Sequence, residues 1–393
     1  MSKPRAGNRM RLAVAAAAFA TVGGGAPVAT TARASVGFRG AVDVVAVSPA
    51  TGRVLVGIEG GKPGSGLWWS DDRGAHWHVA LGLGKASGVT ALAFSPSQPN
   101  VVYAGADWLT ARGLASGFLV SSDGGTSWRA AKWRQSVDVF QASAAIEELV
   151  VDPSSPDTVY ADTRGVLRRT LNAGKTWARI GAALPLAITG VRGAIGVAYP
   201  LDQQLVTDAA GALYYATTRA RGPRQIYRST NGGASWQPTA TGLPAASSGS
   251  RMLELASDVS GPPGNVYAAA GKRGVYVTRN AGSTWSRILR ALALNIGVGP
   301  AGVFVVAVPR SGHGGFYRRG SSGPWTRLSQ PPPIDGFVLD PTNSSRLYGW
   351  SFDADASTQR YCAKLYGSRD GGVTWTSIGH ALPLVREHCG SYY

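Results

Sequence analysis

The octet Ser121-Ser122-Asp123-Gly124-Gly125-Thr126-Ser127-Trp128 decides how this chain is read. Its residue types suit a compact turn that feeds a strand. An Asp or Asn side chain accepts from backbone N–H groups just ahead of it, expected here one or two residues on. The hydroxyls tie the two arms of the turn together. Glycine takes the positive φ that a Cβ resists. The closing tryptophan starts the outgoing strand and offers a large apolar face for burial. Nothing in this chemistry needs a substrate, so the octet reads as structural, its acids included.

Working outward, the pattern recurs at Ser70–Trp77, Thr170–Trp177, Ser229–Trp236, Thr278–Trp285 and Ser368–Trp375, with a worn copy at Tyr317–Trp325, where the stretch from Gly323 to the tryptophan is one residue short. The acid or amide positions are Asp72, Asp123, Asn172, Asn231, Asn280 and Asp370. The matching tryptophans are Trp77, Trp128, Trp177, Trp236, Trp285 and Trp375. Copies fall about fifty residues apart, the period of a four-stranded repeat unit. Each sits among β-branched and aromatic runs punctuated by Gly, Pro, Asn or Asp. One run precedes a proline (Val89 to Phe94 before Pro96, Glu147 to Val151 before Pro153), a second follows it (Val101 to Tyr103, Thr158 to Tyr160), and a third enters the octet (Phe118 to Val120). No helical stripe competes with them. Seven such units of strands A, B, C and D predict an all-β fold, a seven-bladed β-propeller of four-stranded antiparallel blades. A solenoid would expose its end repeats, and no capping repeat is visible, so a closed ring is preferred. Each unit supplies its own four strands, which leaves the means of closure open.

The 393 residues carry a formal charge of +17 and are 44% hydrophobic. Residues 1–34 read as an export signal: Lys3, Arg5, Arg9 and Arg11 precede the alanine-rich run Leu12 to Val22, and Ala32-Arg33-Ala34 is a small-residue cleavage site before Ser35. The mature domain is then 35–393, secreted or otherwise extracytoplasmic, with no later run of the ~20 apolar residues a membrane helix needs. Removing the signal takes away five basic residues and no acid, so the mature chain stays strongly basic, a balance that favours anionic partners. The two cysteines, Cys362 and Cys389, are expected to pair in an oxidising compartment, which stabilises by roughly 3–4 kcal/mol on the chain-entropy model. No metal-ligand pattern or cofactor motif is present. Export and the lack of a nucleic-acid-binding module argue against nucleic acid. A monomer is expected.

The octets, together with the link Asp152-Pro153-Ser154-Ser155-Pro156-Asp157-Thr158-Val159-Tyr160-Ala161, resemble the BNR/Asp-box superfamily, which spans sialidases, xyloglucanase-type hydrolases, sortilin-type receptors and photosystem II assembly factors. The resemblance covers nearly the whole mature chain and implies the propeller. It implies no single activity. It also implies that ligands bind on the face opposite the octets, built from the B–C and D–A connections.

On that face the B–C connections hold a basic rim: Lys62, Arg112, Arg164, Arg219, Arg221, Arg224, Lys272, Arg273 and Arg310. Guanidinium forks suit carboxylates and phosphates. Trp108, Trp133, Trp350 and Tyr361 are placed to stack on sugar rings. The first expectation is therefore a binding or scaffold module for a protein or an anionic glycan, with no confident catalytic residue. The alternative is a sialidase-like glycoside hydrolase. Phe38-Arg39 lacks the Ile-Pro that usually follows such an arginine in sialidases, and paired acids would have to come from Asp107, Asp138, Glu147, Glu148, Asp353 and Asp355. These acids lie on the longest insertions, Ala106 to Gly117, Lys132 to Glu148 and Ser351 to Lys364.

Overall fold

A computed structural model describes the chain from 41 to 384, except for 59–65, 84–85, 111–112, 137–145, 164–165, 183, 185–203, 218–224, 240, 244–252, 310–313, 330–331, 333 and 356–359. The expected export signal therefore falls outside the described residues. Among those described, no helix is long and apolar enough to cross a membrane.

In blade 1 the strands Val42–Val47, Val54–Ile58, Gly66–Ser70 and His78–Val79 pair antiparallel in chain order. Six more sheets repeat this up-and-down order, giving a seven-bladed β-propeller of four-stranded antiparallel blades. The remaining inner strands are Ala86–Phe94, Glu148–Val151, Gln204–Thr207, Glu254–Ser257, Ala291–Gly299 and Gly336–Leu339. Each lies beside the next, and the seventh lies beside the first, so the ring is closed.

The inner strands are near-continuous apolar runs because a blade buries both of its faces, one against each neighbour. All six residues of Val42–Val47 are buried, as are all five of Val54–Ile58 and of Leu213–Thr217. Seven apolar clusters result, each spanning one blade–blade interface. Val44, Leu55 and Leu67 of blade 1 pack on Leu92, Phe94 and Leu119 of blade 2. The seam uses the same device: Val45, Val47 and Val56 pack on Tyr348, Trp350 and Leu365. Closure therefore needs no exchanged strand, because all four strands of every blade are consecutive in the chain. Burial of apolar surface, at about 25 cal/mol per Å², holds the seam as it holds every other interface.

Three features differ from the sequence expectation. Strand D begins one residue after the tryptophan, at His78, Arg129, Ala178, Gln237, Ser286, Thr326 and Thr376. The first and third of the long insertions are largely strands rather than loops. Val102–Thr110 and Gly113–Ser121 pair through to Thr110 opposite Gly113, and Leu347–Asp355 pairs with Arg360–Ser368 through to Asp355 opposite Arg360. The second insertion continues the outer strand Arg129–Ser136. Blades 2 and 7 thus carry extended hairpins on the face opposite the octets. Finally, the inner strands of blades 1, 2 and 6 are bulged at Asp43, at Ser87 and Thr90, and at Leu294. Bulges of this kind re-aim side chains and tighten the local twist.

Candidate functional site

The octets form the first of two faces. In all six intact copies the leading hydroxyl accepts the N–H of the glycine four residues on, at 2.8 Å for Gly74, 2.9 Å for Gly125, Gly174, Gly233 and Gly282, and 2.8 Å for Gly372. The same hydroxyl donates to the Asp or Asn Oδ1, for example Ser121 to Asp123 at 2.7 Å. That Oδ1 in turn accepts the N–H of His76, Ser127, Thr176, Ser235, Thr284 or Thr374. The side chain therefore reaches four residues ahead, not one or two as expected, because the hydroxyl already takes the N–H two residues on.

These turns also join blades. Gly125 has φ 91, and a Cβ there would stand 2.8 Å from both terminal methyls of Leu55 on the preceding blade. The Trp77 indole donates across the seam to Ile378 O at 3.0 Å, and Trp325 donates to Ile288 O at 2.7 Å. Trp285 donates likewise to Thr239 O. Trp128, Trp236 and Trp375 instead donate to the carbonyl of their own octet glycine. Trp177 packs edge-on against Phe118 of blade 2, with centroids 4.8 Å apart. Arg53 of blade 1 clamps Asp71 at 2.6 Å and reaches Asp123 O, Gly124 O and Thr126 Oγ1 of blade 2.

Hydrogen bonds from the His76 backbone and ring hold the Asp72 carboxyl far below the usual carboxylate range. At Asp123 and Asp370 partial burial pushes upward, but bonds from Ser127 and Thr374 outweigh it and leave both lowered. Carboxylates held ionised as turn acceptors have no proton to give, so the octet acids are poor general acids. Their role is to shape the turn.

On the opposite face, two acids that open inner strands, Glu148 and Glu254, are also committed. Glu148 is buried at the head of the inner strand of blade 3, where its Oε2 accepts the Leu205 N–H of blade 4 at 2.8 Å. Glu254 repeats this between blades 5 and 6, accepting from Asn295 Nδ2 at 3.2 Å and from the Ile296 N–H at 3.3 Å. Asp162 lies directly across the ladder from Glu148 and accepts the Tyr215 hydroxyl at 3.0 Å. Burial first, and then the neighbouring Asp162 and Glu147 charges, push the Glu148 carboxyl well above its usual value. Burial and Asp162 likewise raise Tyr215. A nucleophilic tyrosine needs the reverse, a phenol made easier to ionise. Tyr215 is instead a fully buried donor.

The other sequence candidates divide as follows. Asp107 is buried and accepts from Ser116 Oγ at 2.5 Å. Trp350 is wholly buried in the seam between blades 7 and 1, which corrects its reading as a sugar platform. Trp108 is half-buried and donates to Leu83 O at 3.2 Å. Glu147 is half-buried beside Glu148. Lys272 and Arg273 stand exposed on the short turn Gly271–Arg273 of blade 5. Arg112, Arg164, Arg219, Arg221, Arg224 and Arg310 lie outside the described residues, as do Phe38, Arg39, Lys62, Asp138 and Cys389. Cys362 sits in the strand Arg360–Ser368, but its pairing with Cys389 also lies outside what is described. No group of three potential metal ligands occurs among the described residues. Sequence reasoning did not single out Glu254 or the Tyr215–Asp162 bond. The signal was there in the first: an acid opening an otherwise apolar inner strand, as Glu148 also does.

No protein-family model matches the chain, and no curated protein matches it. Solved structures do. A GH74 xyloglucanase from Xanthomonas campestris is 18% identical with a TM-score of 0.60, over 87% of this chain and 68% of that one. A GH74 enzyme from Niastella koreensis is 15% identical with a TM-score of 0.54, over 87% and 67%. A putative 6-phosphogluconolactonase from Bacteroides uniformis is 14% identical with a TM-score of 0.51, over 85% and 97%. At such identities the likeness shows the class of fold, a β-propeller, and no more.

Proposed function

We propose that this is an exported Asp-box propeller that acts as a binding or scaffold module, taking a protein or an anionic glycan on the face opposite the octets. The observation that carries this reading is the state of the acids. Glu148, Asp162, Glu254 and Asp107 are buried and spent on hydrogen bonds inside the ring. Two basic residues described on that face, Lys272 and Arg273, are exposed to solvent. The extended hairpins of blades 2 and 7 add relief on the same side, where binding elements on rigid scaffolds commonly sit.

A glycoside hydrolase is the second reading. It is favoured by one observation, the Glu148–Asp162 pair, in which burial raises one carboxyl beside another, the direction of asymmetry that glycosidase chemistry uses. The fold likeness to xyloglucanases agrees with it at the level of the class alone. A panel of sialosides, xyloglucan oligosaccharides and uronic-acid glycans, assayed for both retention and turnover, separates the two. The binding module retains anionic glycans without cleaving them. Turnover that disappears in Glu148→Gln, with the fold intact, overturns the first reading.

A further inference from the structure

The octet face has a charge pattern of its own. Blades 7, 1 and 2 carry aspartate at the third octet position (Asp370, Asp72, Asp123), whereas blades 3, 4 and 5 carry asparagine (Asn172, Asn231, Asn280). The side chains make the same turn in both cases, so the geometry is kept while three negative charges are absent from one half of the face. In that half, between blades 4 and 5, lies a cavity of about 270 Å³. Its polar lining comes chiefly from Arg228, Thr230, Ser235, Gln237, Thr241 and Ser283, and no acidic side chain contributes.

Arg228 is the informative residue. It stands immediately before the first octet hydroxyl of blade 4, as Arg169 does in blade 3. Arg169 uses its Nη1 on the next octet, donating to Gly232 O at 2.8 Å. Arg228 is held differently. Its Nε donates to Tyr214 Oη at 3.0 Å, and Tyr214 donates onward to the buried Asp208 at 3.3 Å. Among the described residues its two terminal nitrogens make no hydrogen bond, so the fork is aimed by Tyr214 and left with donors to spare. Ser235 Oγ accepts from Asn231 Nδ2 at 2.8 Å, which turns its own proton away from that amide. A half-buried guanidinium among hydroxyl donors, without a carboxylate, has the make-up of an oxyanion site. The volume suits one charged group with little more than a single ring attached, since pockets for larger ligands begin at about 300 Å³.

We propose that this cavity between blades 4 and 5 binds an oxyanion, a sulfate or phosphate ester or the carboxylate of an acidic sugar, with Arg228 as its principal ligand. The site is distinct from the basic rim on the other face. It therefore stands whether or not that rim binds anything.

Calorimetric titration of the full chain at low ionic strength tests this, with inorganic sulfate, inorganic phosphate and methyl glucuronide as probes. The expected result is saturable binding of at least one probe. Arg228→Gln should weaken it at least tenfold, and Ser283→Glu, an exposed change that places a carboxylate at the cavity, should abolish it. Tighter binding of the inorganic anions assigns the site to esters, and tighter binding of the glucuronide assigns it to sugar acids. Arg169→Gln, whose guanidinium is already engaged on Gly232 O, should leave affinity within twofold. No binding by the unaltered protein, or affinity unchanged in both Arg228→Gln and Ser283→Glu, overturns the proposal. Ser283→Glu keeps the test decisive should Arg228→Gln lose stability through Tyr214.

Discussion

Replacing Gly174 by alanine probes the octet as a joint between blades. Gly174 has φ 83, and a Cβ there would lie 2.5 Å from Phe118 Cε1 and 2.6 Å from Cδ1, on the preceding blade. Two costs add. An L-residue in the left-handed region loses about 1–2 kcal/mol, and overpacking a filled core loses about 1–3 kcal/mol more. Gly323, in the worn octet of blade 6, separates them: its φ is 97, yet nothing lies within 4 Å of the Cβ position. Gly323→Ala should therefore lose about 1–2 kcal/mol and Gly174→Ala about 2–5 kcal/mol. Alanine also restricts the unfolded chain, by about 0.4–1 kcal/mol, but equally in both variants, so the difference between them is unaffected. Urea titration followed by the fluorescence of the 12 tryptophans measures both. Trimming the obstacle supplies a second check. Phe118→Leu combined with Gly174→Ala should destabilise less than the two changes summed, by at least about 0.5 kcal/mol. Equal losses at Gly174 and Gly323, together with strict additivity at Phe118, would refute the view that the octet glycine makes room for the neighbouring blade.

Further outcomes follow from the same bonds. Trp325→Phe keeps most of the ring but removes the donor to Ile288 O, and should cost about 1 kcal/mol, read from the urea midpoint. Burial raises Glu148 in the fold, so folding disfavours its charged form. Its contribution to stability is fully present below the unfolded value and is lost as pH rises through the elevated one. Glu148→Gln, which still offers an oxygen to the Leu205 N–H, should flatten the decline of stability above pH 4.5, and thermal melts across that range check it. Asp72 has the opposite sign. Its lowered carboxyl stabilises above pH 3.8 and loses that support as pH falls, so Asp72→Asn should reduce acid sensitivity while preserving the turn, as Asn172 does in blade 3.

The blades were legible in the sequence because the octet fixes a local turn, and local chemistry is written in adjacent residues. Ser121, Asp123, Gly125 and Trp128 announce their positions without help from the rest of the chain. Relations between blades were harder to read. The acceptance of the Leu205 N–H by Glu148, 57 residues earlier, has no local mark. Nor does the burial of Trp350 against the first blade, which made a core residue look like a sugar platform. The long insertions misled for another reason. Their strands continue an existing ladder, so cross-strand pairing with Gly113–Ser121 and Arg360–Ser368, rather than local propensity, holds them extended.

A ring in which every blade keeps its own four strands has one consequence for descent. The segment that can be duplicated in a gene, the sheet that hydrogen-bonds to itself and the wedge that occupies one sector of the circle share the same boundaries. A unit can then decay alone. Blade 6 has lost its Asp or Asn and its leading hydroxyl, yet Trp325 still reaches Ile288 on one side, and Phe316 still packs against Phe337 on the other. Mutation has worn one signature while the circle around it stayed whole.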